Sequence, residues 1–290
     1  MAERVLLSGV WSRGYAGTRH KGETDLSSMP PPVQRDGRDH LRQDPHVTSD
    51  VVRRAWYVTS QKQGVSALGL QRVLGLNSYQ TAWAMLHRFR RAMVRPDRDL
   101  LSGAVEVDET YVALRRRAGV TRKGARNSKA LDRSHLVAVA VAVEVLQPKG
   151  FGRVRLRRVV GSTSDALLPF VREHVRPGAT VRTDGSPIYA RLQEEGFDHD
   201  RRVMLGSKAP AHQPLPGVHR VAALLKLWLL GTHHGAVDPR HVDYYLDEFT
   251  FRFNRRTSRS RGMLFYRLIQ QAAGAGPVTY TDIRDNLPNQ

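Results

Sequence analysis

The sequence predicts an α/β protein built on a mixed sheet and preceded by a small all-α helix-turn-helix module. Three observations carry this. Residues 48–93 read with helical periodicity in three segments, the last two joined by a short turn at 75–77 that contains glycine. From residue 103 the period switches to two, and "GAVEVDETYVAL", "HLVAVAVAVEVL" and "GRVRLRRVVG" read as three successive strands. Beyond residue 161 helical and strand segments alternate, the order of an α/β sheet.

Taken in order, residues 1–48 are polar, broken by "SSMPPPVQRDGRDH", and read as a poorly ordered or atypical tail. Residues 49–97 form the helical module. In it "TSDVVRRAWYVTSQKQG" is expected to start at a Ser49 or Asp50 cap, and "VSALGLQRVLGL" and "SYQTAWAMLHRFRRAM" follow. In the third helix Ala82, Met85, Leu86 and Phe89 form the buried stripe. This leaves Tyr79, Gln80, His87, Arg88, Arg90 and Arg91 outward, either to face a phosphate backbone and base edges or as a solvated basic face.

In the sheet region the second strand is so apolar that both its faces should be buried. "STSDALLPFVREHV" reads as a helix capped by Ser162, Thr163 or Ser164, "ATVRTDG" as a fourth strand ending at Asp184, "SPIYARLQEEG" as a helix, and "HDRRVML" as a fifth strand. Two long helices follow over about 218–230 and 239–256, with Asp238 capping the second. The expected units are the tail at 1–48, the helical module at 49–97, the α/β domain at 103–272 and a C-terminal tail at 273–290.

Composition narrows the chemistry. The 290 residues carry 46 Lys plus Arg against 27 Asp plus Glu, a net charge of +19. So one-sided a charge calls for a polyanionic partner, because Lys and Arg gain affinity by releasing counterions condensed on phosphates. There is no cysteine, which excludes disulfides, thiolate zinc sites and a cysteine nucleophile. No apolar run approaches a membrane span, and a cytoplasmic, nucleoid-associated location is expected.

The candidate chemistry starts from two carboxylates, Asp108 inside the first strand and Asp184 at the end of the fourth. If those strands are neighbours, the two acids repel unless a cation lies between them. An oxygen-only pair suits Mg²⁺ or Mn²⁺, and two such ions would serve an in-line displacement at phosphorus. Read singly, Asp108 is an exposed strand residue and Asp184 starts a turn. In "LPGVHRVAALLKLWLLGTHHG" His219 and Lys226 are seven apart on one helical face, opposite Val218, Val221, Ala222 and Leu225. His219 is then a metal ligand, a donor to phosphate or a surface histidine, and Lys226 a point charge for a DNA backbone. In "DEFTFRFNRR" Glu248, Arg252 and Arg255 stand at spacings of four and seven, one stripe of a helix. That stripe is either a solvated ion pair or a face turned to a phosphate-handling site.

Taken together, the acidic pair, the 35-position step from Asp184 to His219, the seven-residue step to Lys226 and the closing E-x3-R-x2-R resemble bacterial insertion-sequence transposases of the DDE class. Specifically, they are similar to the ISXO-type branch related to the Merlin superfamily. The matching phrases include "GVSALGLQRVLGLNSYQTAWAMLHRFRRAM", "LSGAVEVDETYV", "TDGSPIYARL", "LPGVHRVAALLK" and "YYLDEFTFRFNRRTSRSRGMLFYRL", and together they span about residues 48–272.

The resemblance implies a ribonuclease-H-like catalytic domain with Asp108, Asp184, His219 and Glu248 as the catalytic set. It makes Asp108, Asp184 and Glu248 the ligands of Mg²⁺ or Mn²⁺, with His219 or Glu248 as the third catalytic group. Lys226, Arg252, Arg255, Tyr79, Gln80, Arg88 and Arg91 are then expected on DNA. The expected activity is cleavage at the element's ends and transfer of the freed 3′-hydroxyls to target double-stranded DNA, by a homodimer or higher assembly. The alternatives are an inactive relic that only binds DNA and a ribonuclease-H-like nuclease without strand transfer. Members of this branch usually begin with a cysteine-rich zinc ribbon, which a chain without cysteine does not have. After "DETYV" the family tends to carry glycines; here a basic loop with eight Lys or Arg follows, from Arg115 to Arg133.

Overall fold

The structure is a computed structural model that describes residues 45–95, 97–114, 136–202 and 215–285. Most of the expected N-terminal tail, the whole basic loop at 115–133 and the end of the expected fifth strand lie outside the described residues.

A five-stranded sheet forms the centre. Its strands are β1 (Ala104–Ala113), β2 (Leu136–Val145), β3 (Phe151–Val159), β4 (Thr180–Thr183) and β5 (Asp198–Arg201), in the order β3-β2-β1-β4-β5. The first three pair antiparallel, while β4 and β5 join parallel to β1. An antiparallel meander extended by two parallel strands, with helices on both faces, is the ribonuclease-H-like arrangement.

The alternation of β2 shows how this sheet is stabilised. Val139, Val141 and Val143 face one layer and Ala138, Ala140 and Ala142 the other, and all six are buried. The valine face packs on α5 (Pro216–His233) and α6 (Val242–Phe253) through Val221, Leu225, Leu246 and Phe249. The alanine face leaves room for the larger side chains Leu167 and Phe170 of α4 (Ser164–His174), which crosses from β3 to β4.

Two segments differ from the sequence reading. "SPIYARL" forms a 3₁₀ helix, Pro187–Leu192, with Ser186 capping the Ile188 amide. The last long helix begins as a 3₁₀ turn, Pro239–His241, with the Arg240 amide held by the expected cap Asp238, and continues as α6.

The helical module consists of α1 (Pro45–Ser60), α2 (Ala67–Val73) and α3 (Tyr79–Ala92). Helix α1 starts at Pro45, whose fixed φ suits a first helical position, so Ser49 and Asp50 lie inside the helix rather than capping it. Gly75 has φ +61 in the turn between α2 and α3. The core of the module takes in Leu264, Leu268 and Ala272 of α7 (Arg261–Gly274) beside Ala55, Leu70, Leu86 and Phe89. Packing thus joins α7 to the N-terminal helices, although the sequence places residues up to 272 with the α/β domain. A short α8 (Tyr280–Arg284) closes the described chain.

The third helix departs most from its sequence reading. His87 is fully buried and Arg90 only 2% exposed, so neither is available on the surface. His87 sits among the rings of Trp83, His241, Tyr244 and Tyr245, and neither ring nitrogen has a partner among the described residues. Burial first, then Arg90, His241 and His233, hold its imidazole well below the ordinary range and keep it neutral. Helix α6 covers this face, which the periodicity of α3 alone leaves to solvent.

Candidate active site

Parallel pairing sets Glu106 of β1 beside Arg182 of β4. Asp108 stands two residues further along β1, and Asp184 directly follows the last residue of β4, so the two carboxylates lie near one another at the same end of neighbouring strands, close enough for the charge of Asp184 to act on Asp108. Asp108 is partly buried and its Oδ1 accepts from the Glu109 amide at 2.8 Å. Burial, with the charges of Glu109 and Asp184, pushes its carboxyl up to about 7 against that hydrogen bond. Asp184 is exposed, and its Oδ1 accepts from the Ser186 amide at 2.9 Å.

Two residues that the sequence reading passed over belong to this edge. Tyr189 donates its hydroxyl to Glu109 Oε2 at 3.2 Å. Burial and the fields of Glu109, Asp108 and Asp184 push its phenol well up, so it stays a protonated donor. Glu106, 2% exposed, shares the face of Asp108 and accepts from the Gly217 and Val218 amides at 2.6 and 3.0 Å. A carboxylate at these first-turn amides satisfies donors that the helix cannot and complements its dipole, which anchors α5 to β1.

Close approach explains the glycine there. A Cβ on Gly217 would lie 2.8 Å from Glu106 Oε2 and 2.9 Å from Phe151 Cδ1. Gly217→Ala is therefore expected to cost about 1–3 kcal/mol by overpacking and to loosen the start of α5. Thermal denaturation checks this; an unchanged melting temperature would refute the close-packed anchor.

Helix α5 presents the next candidates. Val218, Val221, Ala222 and Leu225 are buried on the expected packing side. His219, half-buried in the first turn, sits close enough to Glu106 for its charge to act on that carboxyl, and Lys226 is exposed two turns later. Among the described residues no group of three or more acidic or histidine side chains is assembled for a metal ion. The pair Asp108 and Asp184 nevertheless fits a hard divalent cation, since Mg²⁺ is commonly held by one or two carboxylates with water and substrate phosphate.

Glu248 lies in the protein interior. It is 1% exposed, and its two oxygens are taken by Arg90 Nε and Arg252 Nε, each at 2.8 Å. Burial would raise its carboxyl, but Arg252 and Arg90 outweigh that and hold it at about 2. Arg252 further donates to the Gln61 and Val58 carbonyls at 2.8 and 2.9 Å, so its guanidinium is used inside the protein and not on DNA. Glu248 and Arg252 are thus not a solvated pair: with Arg90 they form a buried ion triad that joins α6 to α3 and, through the Val58 and Gln61 carbonyls, to the end of α1, while Arg255 stands apart from it.

The remaining basic candidates divide. Arg255 stacks on Phe251, its guanidinium 4.0 Å from the ring centre, and points into a cavity that Arg88 and Arg91 also line. Arg88 donates to the Val278 carbonyl at 3.0 Å and Arg91 hydrogen-bonds Tyr244, so both turn inward rather than outward. Tyr79 and Gln80, at the start of α3, are exposed.

A family model described as ISXO2-like transposase domain matches residues 100–254, more than half of the chain. The chain belongs to this family. A solved structure titled "Crystal structure of the Mos1 Strand Transfer Complex" is similar over 77% of this chain and 75% of that one, at 14% identity and a TM-score of 0.29. No curated protein matches the chain. Within this transposase the family match spans the whole sheet and both α5 and α6, so Asp108, Asp184, His219 and Lys226 all lie inside it. No helix among the described residues is long and apolar enough to cross a membrane.

Proposed function

We propose that this transposase is a metal-dependent DNA strand transferase that cleaves at the ends of its insertion sequence and joins the freed 3′-hydroxyls to target double-stranded DNA. The observation that supports the reading is that Asp108, on β1, and Asp184, directly after the adjacent parallel strand β4, lie near one another within the family's own domain. Asp108 and Asp184 would hold Mg²⁺ or Mn²⁺, which would supply activation of a water or 3′-hydroxyl and charge stabilisation of the leaving oxygen.

The chain's own residues do the positioning. Glu106 fixes the N-terminus of α5 and so the approach of His219 to the sheet face that carries Asp108. His219 is the third catalytic group, because Glu248 is consumed by Arg90 and Arg252. Lys226, exposed on the same helix, holds a backbone phosphate, and Tyr79 and Gln80 at the exposed start of α3 meet the element's terminal repeat. Two ends must be brought together for transposition, which calls for a homodimer or higher assembly on DNA in the nucleoid.

An excision and integration assay in cells, with the flanking element ends supplied, tests this reading. Wild type is expected to give events and Asp184→Asn none. Equal events from both would remove Asp184 from the site; silence from both would favour a relic that only binds DNA.

A further inference from the structure

A second feature lies away from the carboxylate pair, at the β3 edge of the sheet. There α3, α6, α7 and the first residues of β3 line a partly open cavity of about 1050 Å³. Eight arginines and three aspartates line it, a strong excess of positive charge for one partly open cleft.

The pairing inside it is incomplete. Arg153 and Arg95 share Asp99, and Arg153 also holds Glu144. Arg98, Arg155, Arg255 and Arg267 have no carboxylate at ion-pair distance among the described residues. Arg155 is the sharpest case. It is 3% exposed, and its guanidinium donates only to the carbonyls of Val154 and Asp99, at 3.0 and 2.6 Å. Burial, then Arg98 and Arg153, draw it down to about 10. Burial, Arg267 and Arg95 lower Arg255 in the same way. Asp247, the acid closest in effect to Arg98, is pushed up to about 7 by burial and is a weak counter-charge at neutral pH.

Buried like charges without a counter-ion are costly, so a structure that gathers them is one that an anion completes. Guanidinium forks match phosphate oxygens two at a time. The volume is of the order of a small-ligand site, roughly 300–1,000 Å³, and the recessed Arg155 suits a compact molecule rather than a duplex.

We propose that this cavity binds a compact polyphosphate anion, of the inorganic oligophosphate or nucleoside triphosphate class, which bridges the helical module to α6 and β3. This does not rest on the strand-transfer reading, since the cavity and the carboxylate pair share no residue.

Titration calorimetry of the full chain with inorganic triphosphate and with ATP, at physiological salt, tests it. The expected result is one saturable site, weakened at least tenfold in Arg98→Gln and in Arg255→Gln. Asp184→Asn and the charge-matched surface variants Arg53→Gln and Arg72→Gln, each removing one exposed charge, should retain it. Arg155 is left intact because it holds two carbonyls. Arg98→Gln loses no ion pair and should melt at or above the wild-type temperature without anion, whereas Arg255→Gln also gives up its stacking on Phe251 and its hydrogen bond to the Phe251 carbonyl, so its binding is read only at temperatures where it stays folded. Equal affinity for the two probes supports recognition of phosphates alone, and tighter ATP binding supports the nucleotide. Absence of saturable binding, or an equal loss in the surface variants, would overturn the proposal in favour of diffuse attraction to a basic protein. So would a short single-stranded DNA that binds through Arg98 while triphosphate does not.

Discussion

Replacing Glu248 with glutamine is expected to destabilise the protein by about 3–5 kcal/mol, because it leaves Arg90 and Arg252 buried without their counter-charge. For a chain of this length that corresponds to a fall in melting temperature on the order of 10 °C. The pH dependence has a definite sign. The folded carboxyl is held at about 2, below its ordinary value of 4.5. Its contribution is therefore fully present above pH 4.5 and is lost as the pH falls toward 2, a change of about 3 kcal/mol. Glu248→Gln should flatten the acid limb of the stability curve over that interval. Removing all three charges together, as Arg90→Met and Arg252→Met with Glu248→Leu, should recover much of the loss, since desolvation of the ions offsets much of their attraction. A Glu248→Gln protein that melts like wild type but has lost activity would return Glu248 to the catalytic set.

Asp108→Asn is expected to have the opposite profile. Strand joining should fall by on the order of a thousandfold, because the variant cannot supply an anionic oxygen to a divalent cation. Stability measured with a chelator should rise at neutral pH. An acid whose folded value is about 7 against an ordinary 3.8 costs stability once ionised. That cost is absent below pH 3.8, grows between 3.8 and about 7, and is complete above. Melting curves at pH 5 and pH 8 check this: the variant's advantage should be larger at pH 8. An Asp108→Asn protein less stable than wild type at both would mark Asp108 as structural.

These two acids differ in how far the sequence reveals them. The placement of Asp108 inside the first strand and of Asp184 at the end of a short strand in "TDG" was legible from the two-residue period and the turn signal. Pairing of β1 with β4 then joins them. The Val/Ala alternation of β2 likewise announced a strand buried on both faces. A helical stripe is less informative, since spacing gives the relative directions of Glu248 and Arg252 but not what covers them. Their partner Arg90 stands 158 residues earlier, beyond any periodicity window. The same gap hid the burial of His87 and Arg90, where the pattern of α3 places charged residues outside and α6 takes that side instead. Glu106 carried a usable signal that was passed over: it stands two residues before Asp108, on the same face of one strand, and its role becomes visible only with Gly217 beside it.

The central claim, that Asp108 and Asp184 serve strand transfer, is tested most directly by product analysis in vitro. Purified protein, labelled element ends, a target plasmid and Mg²⁺ are incubated, and the products are resolved under denaturing conditions. The account predicts label joined covalently to target DNA with wild type, and no joined product with Asp108→Asn or Asp184→Asn. Ends that are cut but never joined would contradict it and leave a ribonuclease-H-like nuclease as the better description.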